Sequence, residues 1–220
     1  MKHQMTGKRG EVWSMRLSAL GVMLSVAGIL VLIVPSLRAG TPWHIAGFLI
    51  YGFGLISVFG ASALHHGYEG SERANFVLRQ IDYSAIPIMI AGTATPFCLI
   101  LLRNSFGWTV LAVFWVLALF LIVLKNTWPN VPRWLITSLF LGMGWMGVLL
   151  ADPLVRHTGW TGVILAVAGG LFYSVGALIF LLEKDGVPRG RFGLHDVWHL
   201  FVLAGTATHF FLVYRYLLPV

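Results

Sequence analysis

Residues 160–182 read Trp-Thr-Gly-Val-Ile-Leu-Ala-Val-Ala-Gly-Gly-Leu-Phe-Tyr-Ser-Val-Gly-Ala-Leu-Ile-Phe-Leu-Leu, a run without a charged side chain. About 20 apolar residues wound as a helix match the roughly 30 Å hydrocarbon core of a bilayer, so this run reads as one membrane span. Six further blocks of the same kind lie at about 16–35, 43–65, 82–102, 108–125, 134–151 and 195–218. The links between them are short, apart from the more polar stretches His66–Ile81 and Glu183–Leu194. The expected architecture is all-α: one seven-transmembrane helix bundle over residues 1–220, with no separate soluble domain. Composition agrees, because 10% of residues are charged and 58% are hydrophobic, whereas soluble chains carry about 25% charged residues. The first block follows a basic stretch (Lys2, Lys8, Arg9, Arg16) but ends in Val-Pro-Ser-Leu-Arg without a small-residue cleavage site. Its apolar run is also too long for a signal peptide, so it counts as the first span.

Orientation follows from the placement of Lys and Arg. One side collects Lys2, Lys8, Arg9, Arg16, Arg73, Arg79, Lys125, Arg133, Lys184, Arg189 and Arg191; the other has Arg38, Arg103, Arg156 and Arg215. Cytoplasmic loops are enriched in these residues, so the N-terminus is expected inside and the C-terminus outside. The net charge of +7 is therefore a topology signal facing lipid headgroups, and nucleic acid is excluded as a partner. Glycines recur inside the spans (Gly52, Gly54, Gly60; Gly142, Gly144, Gly147; Gly169, Gly170, Gly176) and are read as close helix packing. Pro87 and Pro96 interrupt the third span, where prolines kink a helix. Trp43, Trp108, Trp128, Trp134 and Trp160 stand near span ends, as an interfacial belt.

Ionisable residues inside spans are functional candidates, because a charge in hydrocarbon is costly. The second span ends in Ser62-Ala-Leu-His65-His66, the third begins at Asp82 in Asp-Tyr-Ser-Ala-Ile-Pro, and the seventh opens with His195-Asp-Val-Trp-His199. All three groups fall near the cytoplasmic face. His195 and His199, one turn apart, share a helix face, and such pairs are a recurring zinc arrangement. Three imidazoles leave a fourth position open to water, and a nearby carboxylate can orient or deprotonate that water. His65 and His66 differ by about 100° around the helix, so only one should face the bundle interior. The single Cys98 rules out a multi-cysteine site. Haem fits poorly, since two histidines on one turn cannot occupy opposite axial positions. His3, His44 and His157 read as interfacial or hydrogen-bonded. His209 lies 14 positions past His195, about 21 Å deeper, and cannot share the metal. With Thr206 and Thr93 it could line a polar seam, although hydroxyls bonded back to their own helix are the commoner arrangement.

Ser62-x3-His66, Asp82-Tyr-Ser-Ala-Ile-Pro followed by Thr-Ala-Thr-Pro96, and His195-x3-His199-Leu-Phe-Val occur in this order. Together they resemble the hemolysin III branch of the progestin-and-adipoQ receptor superfamily, and the similarity spans all seven blocks. The resemblance implies a seven-helix multi-pass protein of the bacterial inner (plasma) membrane with a cytoplasm-facing zinc site. It implies zinc held by His195, His199 and one histidine of the second helix, with Asp82 acting through the metal-bound water and Ser62 nearby. The Ser-x3-His pattern selects His66, which shares a face with Ser62; His65 is the alternative. Wider relatives are linked to lipid-amide hydrolysis, and bacterial members carry a hemolysin name.

Two functions are therefore expected to compete. One is a zinc-dependent integral-membrane hydrolase acting on a lipid amide or ester, with Asp82 as the base. The other is a non-catalytic receptor, signalling protein or membrane-perturbing cytolysin with a structural zinc. The carboxylate separates them, because a closed structural site has no use for Asp82 beside a water. The chain contains neither Gly-x-Ser-x-Gly nor His-Glu-x-x-His, so soluble-hydrolase motifs do not contribute.

Overall fold

The computed structural model describes residues 12–183 and 192–218. Lys2, His3, Lys8 and Arg9, and the polar link from Lys184 to Arg191, lie outside the described residues. Among the described residues the chain is helical, with no strand. The α-helices are α1 (Val12–Ala39), α2 (Pro42–Gly67), α3 (Glu72–Pro96), α4 (Ser105–Thr127), α5 (Arg133–Trp145), α6 (Ala151–Leu182) and α7 (Leu194–Leu217). A π-helical turn, Phe97–Leu101, continues α3, and a 3-10 turn, Met146–Leu150, joins α5 to α6. Six helical stretches are long and apolar enough to cross a membrane, the run Arg133–Leu182 counting as one.

That run reverses direction at Gly159, whose φ of 67° and ψ of −174° belong to a region that glycine alone occupies without strain. Its two arms pair across the reversal. Trp145 Nε1 donates to Ser174 Oγ at 3.0 Å, and the Arg133 guanidinium donates to the Glu183 carbonyl at 3.0 Å. The expected boundary between the fifth and sixth blocks, between residues 151 and 160, thus falls beside the observed break.

The third block begins earlier than expected. Residues 72–81, read as part of a polar link, form the first turns of α3, because Ser71 caps them by accepting from the Ala74 N–H at 3.3 Å. Ser, Asp or Asn just ahead of a helix satisfies orphan N–H groups, and Glu72 follows at the favourable end of the helix dipole. Asp82 consequently stands ten residues into α3, not at its start. At the other end Pro96, with no N–H to give, marks the change from α- to π-helix.

Helix α1 reverses the soluble-protein rule. It buries Ser14, Ser18, Gly21, Ser25, Gly28 and Ser36 and exposes Leu20, Met23, Leu24, Leu30 and Leu37. Lipid is as apolar as leucine, so small residues that let backbones approach decide the interface. Phe59 of α2 fills the notch at Gly21, and Phe210 of α7 fills the notch at Gly28. Helix α1 therefore packs against both α2 and α7 and closes the ring between them. The α2–α3 contact is closer still: a Cβ on Gly54 would stand 3.1 Å from Met89 Cα, and one on Gly92 would stand 3.1 Å from the Ile50 carbonyl. The expectation that glycines mark packing holds there, and at Gly52, Gly169 and Gly176. It fails at Gly60, Gly142, Gly144 and Gly147, around whose Cβ positions nothing lies within 4 Å. Gly144 of α5 and Gly147 of the 3-10 turn leave a gap in the wall.

Candidate metal centre

His66 comes from the last turn of α2, and His195 and His199 from the first two turns of α7. Because α1 holds α2 and α7 together, these helix ends meet at one point. Ser18 Oγ of α1 shares a hydrogen bond with Ser62 Oγ at 2.9 Å, one turn before His66. Ser14 Oγ donates to Asp196 Oδ1 at 2.6 Å, while the Gly193 N–H donates to Asp196 Oδ2 at 2.8 Å. Asp196 is buried between two ligand candidates and both caps α7 and ties it to α1. This strut was not among the sequence candidates. Its signal was an acidic residue three positions after a glycine at a helix start, half of a capping box.

The three imidazoles offer ring nitrogens that all lie within 4.8 Å of one another. Their ring centroids are separated by 4.9 Å (His66–His195), 5.0 Å (His66–His199) and 5.0 Å (His195–His199). His66 Nε2 and His195 Nε2 stand 3.3 Å apart. Two zinc–nitrogen bonds of about 2.0–2.1 Å in a tetrahedron span an edge of roughly 3.3–3.4 Å, so this separation suits one shared ion. His199 Nε2 is buried and has no hydrogen-bond partner, which is costly for a polar atom unless a ligand completes it. The donor set, three neutral imidazoles with one position to spare, fits zinc.

Glu183, at the end of α6, reaches His195 Nδ1 with Oε2 at 2.9 Å. A carboxylate only accepts, so the proton sits on Nδ1 and Nε2 keeps its lone pair toward the other histidines. Glu183 is itself held through its carbonyl by Arg133. The sequence pattern places Glu183 in a polar link and gives it no role, because the contact exists only once α6 and α7 pack side by side.

These groups stand at one end of a cavity of about 620 Å³ that runs into the bundle. Its wall includes Ser62, His65, His66, Asp82, His195 and His199, so every sequence candidate borders the same space. His66 is buried, whereas His65 is half-buried with its ring 4.9 Å from that of His66. Most of the remaining wall is apolar, with Ile86, Met89, Phe114, Phe140, Val163 and Leu212 among its residues. Gly144, Trp145, Gly147 and Val148 line it too and are exposed on the outside, Val148 by 67%. The cavity wall is thus also the outer face beside the α5–α6 hairpin.

The polar-seam expectation is met in part. The Thr93 hydroxyl bonds back to the Met89 carbonyl of its own helix at 2.8 Å, but Thr206 Oγ1 pairs across helices with Tyr173 Oη at 2.9 Å. His44 is hydrogen-bonded to Thr41 at the start of α2, and His157 to the Pro153 carbonyl, as expected for peripheral histidines.

Comparison with known proteins identifies the family. The family model described as haemolysin-III related matches residues 8–210. Hemolysin-3 of Bacillus cereus is 38% identical over 200 residues, covering 91% of this chain and 88% of that protein. A Hemolysin-3 homolog of Bacillus subtilis (strain 168) is 36% identical over 201 residues, 91% of each chain. Heptahelical transmembrane protein 4 of Arabidopsis thaliana is 28% identical over 199 residues, covering 79% of this chain and 48% of the plant protein. The chain is a multi-pass membrane protein that belongs to the hemolysin III family, within the progestin-and-adipoQ receptor superfamily.

Proposed function

We propose that this protein is a zinc-dependent hydrolase of the bacterial inner membrane that cleaves a lipid amide or ester. The observation that carries the reading is the meeting of His66, His195 and His199 at the end of a mostly apolar cavity that Asp82 also lines. Such a cavity suits a long hydrocarbon chain with one polar end. The gap at Gly144 and Gly147 supports access from the lipid side. The bundle crosses the membrane seven times, with the reversal at Gly159 separating the fifth crossing from the sixth. The N-terminus is inside and the C-terminus outside, so the metal end faces the cytoplasm.

In this reading His66, His195 and His199 hold the ion, and Glu183 keeps His195 in the right tautomer. Zinc, when bound there, supplies a Lewis acid for the carbonyl and acidifies water. Asp82 takes a proton from the water whose oxygen bonds to the carbonyl carbon, and returns it to the amine or alcohol as the carbon–nitrogen or carbon–oxygen bond breaks. Ser62 supports His66 from one turn away. The apolar wall holds the acyl chain.

The name of the Bacillus cereus relative favours a second reading, a membrane-perturbing protein with structural zinc. The Asp82→Asn variant decides between them in purified, zinc-loaded protein embedded in lipid nanodiscs with an N-acyl sphingoid substrate. The hydrolase reading expects unchanged zinc content and folding with fatty-acid release reduced at least a hundredfold, the usual scale of a general base. Full turnover in Asp82→Asn, or no release from any lipid amide or ester by the unaltered protein, rejects it.

A further inference from the structure

Deep in the cavity, ten residues beyond His199 on α7, stands His209. At about 1.5 Å per residue it lies roughly 15 Å further along the helix than His199. Its Nε2 is 3.0 Å from the Ala166 carbonyl of α6. A carbonyl only accepts, so Nε2 carries the proton and Nδ1 is left as a bare acceptor. That Nδ1 is buried and has no hydrogen-bond partner, and His209 lines the cavity. Beside it, at 5.6 Å between ring centroids, is Tyr173, which also lines the cavity. The Tyr173 and Thr206 hydroxyls pair at 2.9 Å. Two hydroxyls bring two protons and one bond uses one of them, so the pair keeps a donor in reserve. The Thr93 and Ser174 hydroxyls that also line the cavity donate to carbonyls of their own helices, so the wall here holds one unpaired acceptor and one donor side by side.

The group complementary to that pair is an alcohol, which gives one proton and accepts one. We propose that this end of the cavity reads a hydroxyl group on the hydrocarbon chain of the bound lipid, donating to His209 Nδ1 and accepting from the Tyr173–Thr206 pair. The proposal rests on the hydrolase reading only in placing the carbonyl end at the histidine triad. It adds a substrate class: acyl chains hydroxylated at a distance of roughly 15 Å from the cleaved bond. An apolar chain in the same place leaves a buried acceptor unpaired, which costs affinity. Gly169 makes the arrangement possible. A Cβ there would collide with the His209 imidazole, so the glycine is the recess in α6 against which the ring lies.

The test compares 12-hydroxyoctadecanamide with octadecanamide, whose chains differ by that one hydroxyl. Dissociation constants are measured by competition against a fluorescent fatty amide in the zinc-loaded, full-length protein, so that no turnover is needed. The expected result is a preference of roughly five- to tenfold for the hydroxylated amide, the scale of one buried hydrogen bond. The preference should vanish in His209→Phe, which keeps an aromatic ring of similar size, and shrink in Tyr173→Phe, which retains everything but the hydroxyl. Equal affinities in the unaltered protein, failure of both amides to bind, or a preference that survives both variants overturns the proposal. If the preference is present but the unaltered protein cleaves no lipid amide or ester, the hydroxyl site stands and the hydrolase reading falls. If both amides are cleaved and bind with equal affinity, the hydrolase reading stands and the hydroxyl site falls.

Discussion

The choice between His65 and His66 turns on about 100° of helix rotation. His66 is 7% exposed and its Nε2 stands 3.3 Å from that of His195, whereas His65 is half-buried and outside the group of converging imidazoles. His66→Ala should therefore strip zinc from the purified protein, as should the His195→Ala, His199→Ala pair, while His65→Ala keeps close to one equivalent by elemental analysis. Zinc retained in His66→Ala and lost in His65→Ala would reverse the assignment. Glu183 acts one bond further out. A carboxylate on the far nitrogen of a ligating imidazole raises its basicity and fixes its orientation, and loss of such a partner costs roughly 10–100-fold in metal affinity. Glu183→Gln should weaken zinc by that factor in a chelator competition with the helical circular dichroism unchanged. An affinity equal to that of the unaltered protein would reduce the contact to a surface ion pair, worth about 0–1 kcal/mol.

Among the elements, α1 and α5 do opposite things with small residues. On α1 serines and glycines admit α2 and α7, and through Ser14 and Ser18 they brace the two helices that carry the imidazoles. On α5 and its 3-10 extension the glycines admit nothing, and the gap beside them joins cavity and surface. Filling that gap should cost no stability. Gly144→Leu replaces a poor helix former by a good one, a gain of about 0.5–1 kcal/mol, and meets no atom within 4 Å of its Cβ. Its thermal midpoint should hold or rise and its zinc content should stay constant, while hydrolysis of a bilayer-embedded lipid falls several-fold. Unchanged hydrolysis would show that lipid arrives by another route.

For the whole molecule, the distribution of charge and the reversal at Gly159 bear on the same question. The fifteen Lys and Arg residues divide eleven to four between the two sides expected from seven crossings, and such a bias sets orientation. If Gly159 lies in the turn between two crossings, residue 220 is outside and the triad end is cytoplasmic. An alkaline-phosphatase fusion at residue 220 should be active and a green-fluorescent-protein fusion dark; the opposite pair of results would demand an even number of crossings. Zinc occupancy should accordingly respond to chelators on the cytoplasmic side of inverted vesicles.

Sequence alone determined the helical class, the membrane setting and the cluster of ligand candidates, because each depends on a local property. Hydrophobic run length sets a span, and the i, i+4 spacing of His195 and His199 sets a shared face. The likeness of Ser62, His66, Asp82, His195 and His199 to a known pattern needed only their order. Tertiary structure decided what distant segments do to one another. Residue 183 became a partner of residue 195 because α7 packs back along α6, and residue 133 came to hold it because α5 and α6 form a hairpin. Asp196 became a strut because α1, far away in sequence, closes the ring with Ser14. Identical glycines serve as packing notches at Gly52 and Gly54 of α2 and as an opening at Gly144 of α5, and no pattern of residues distinguishes them. Helix propensity and hydrophobicity act over a few turns of chain, whereas a notch, an opening or a carboxylate behind a ligand exists only once another helix is placed beside it.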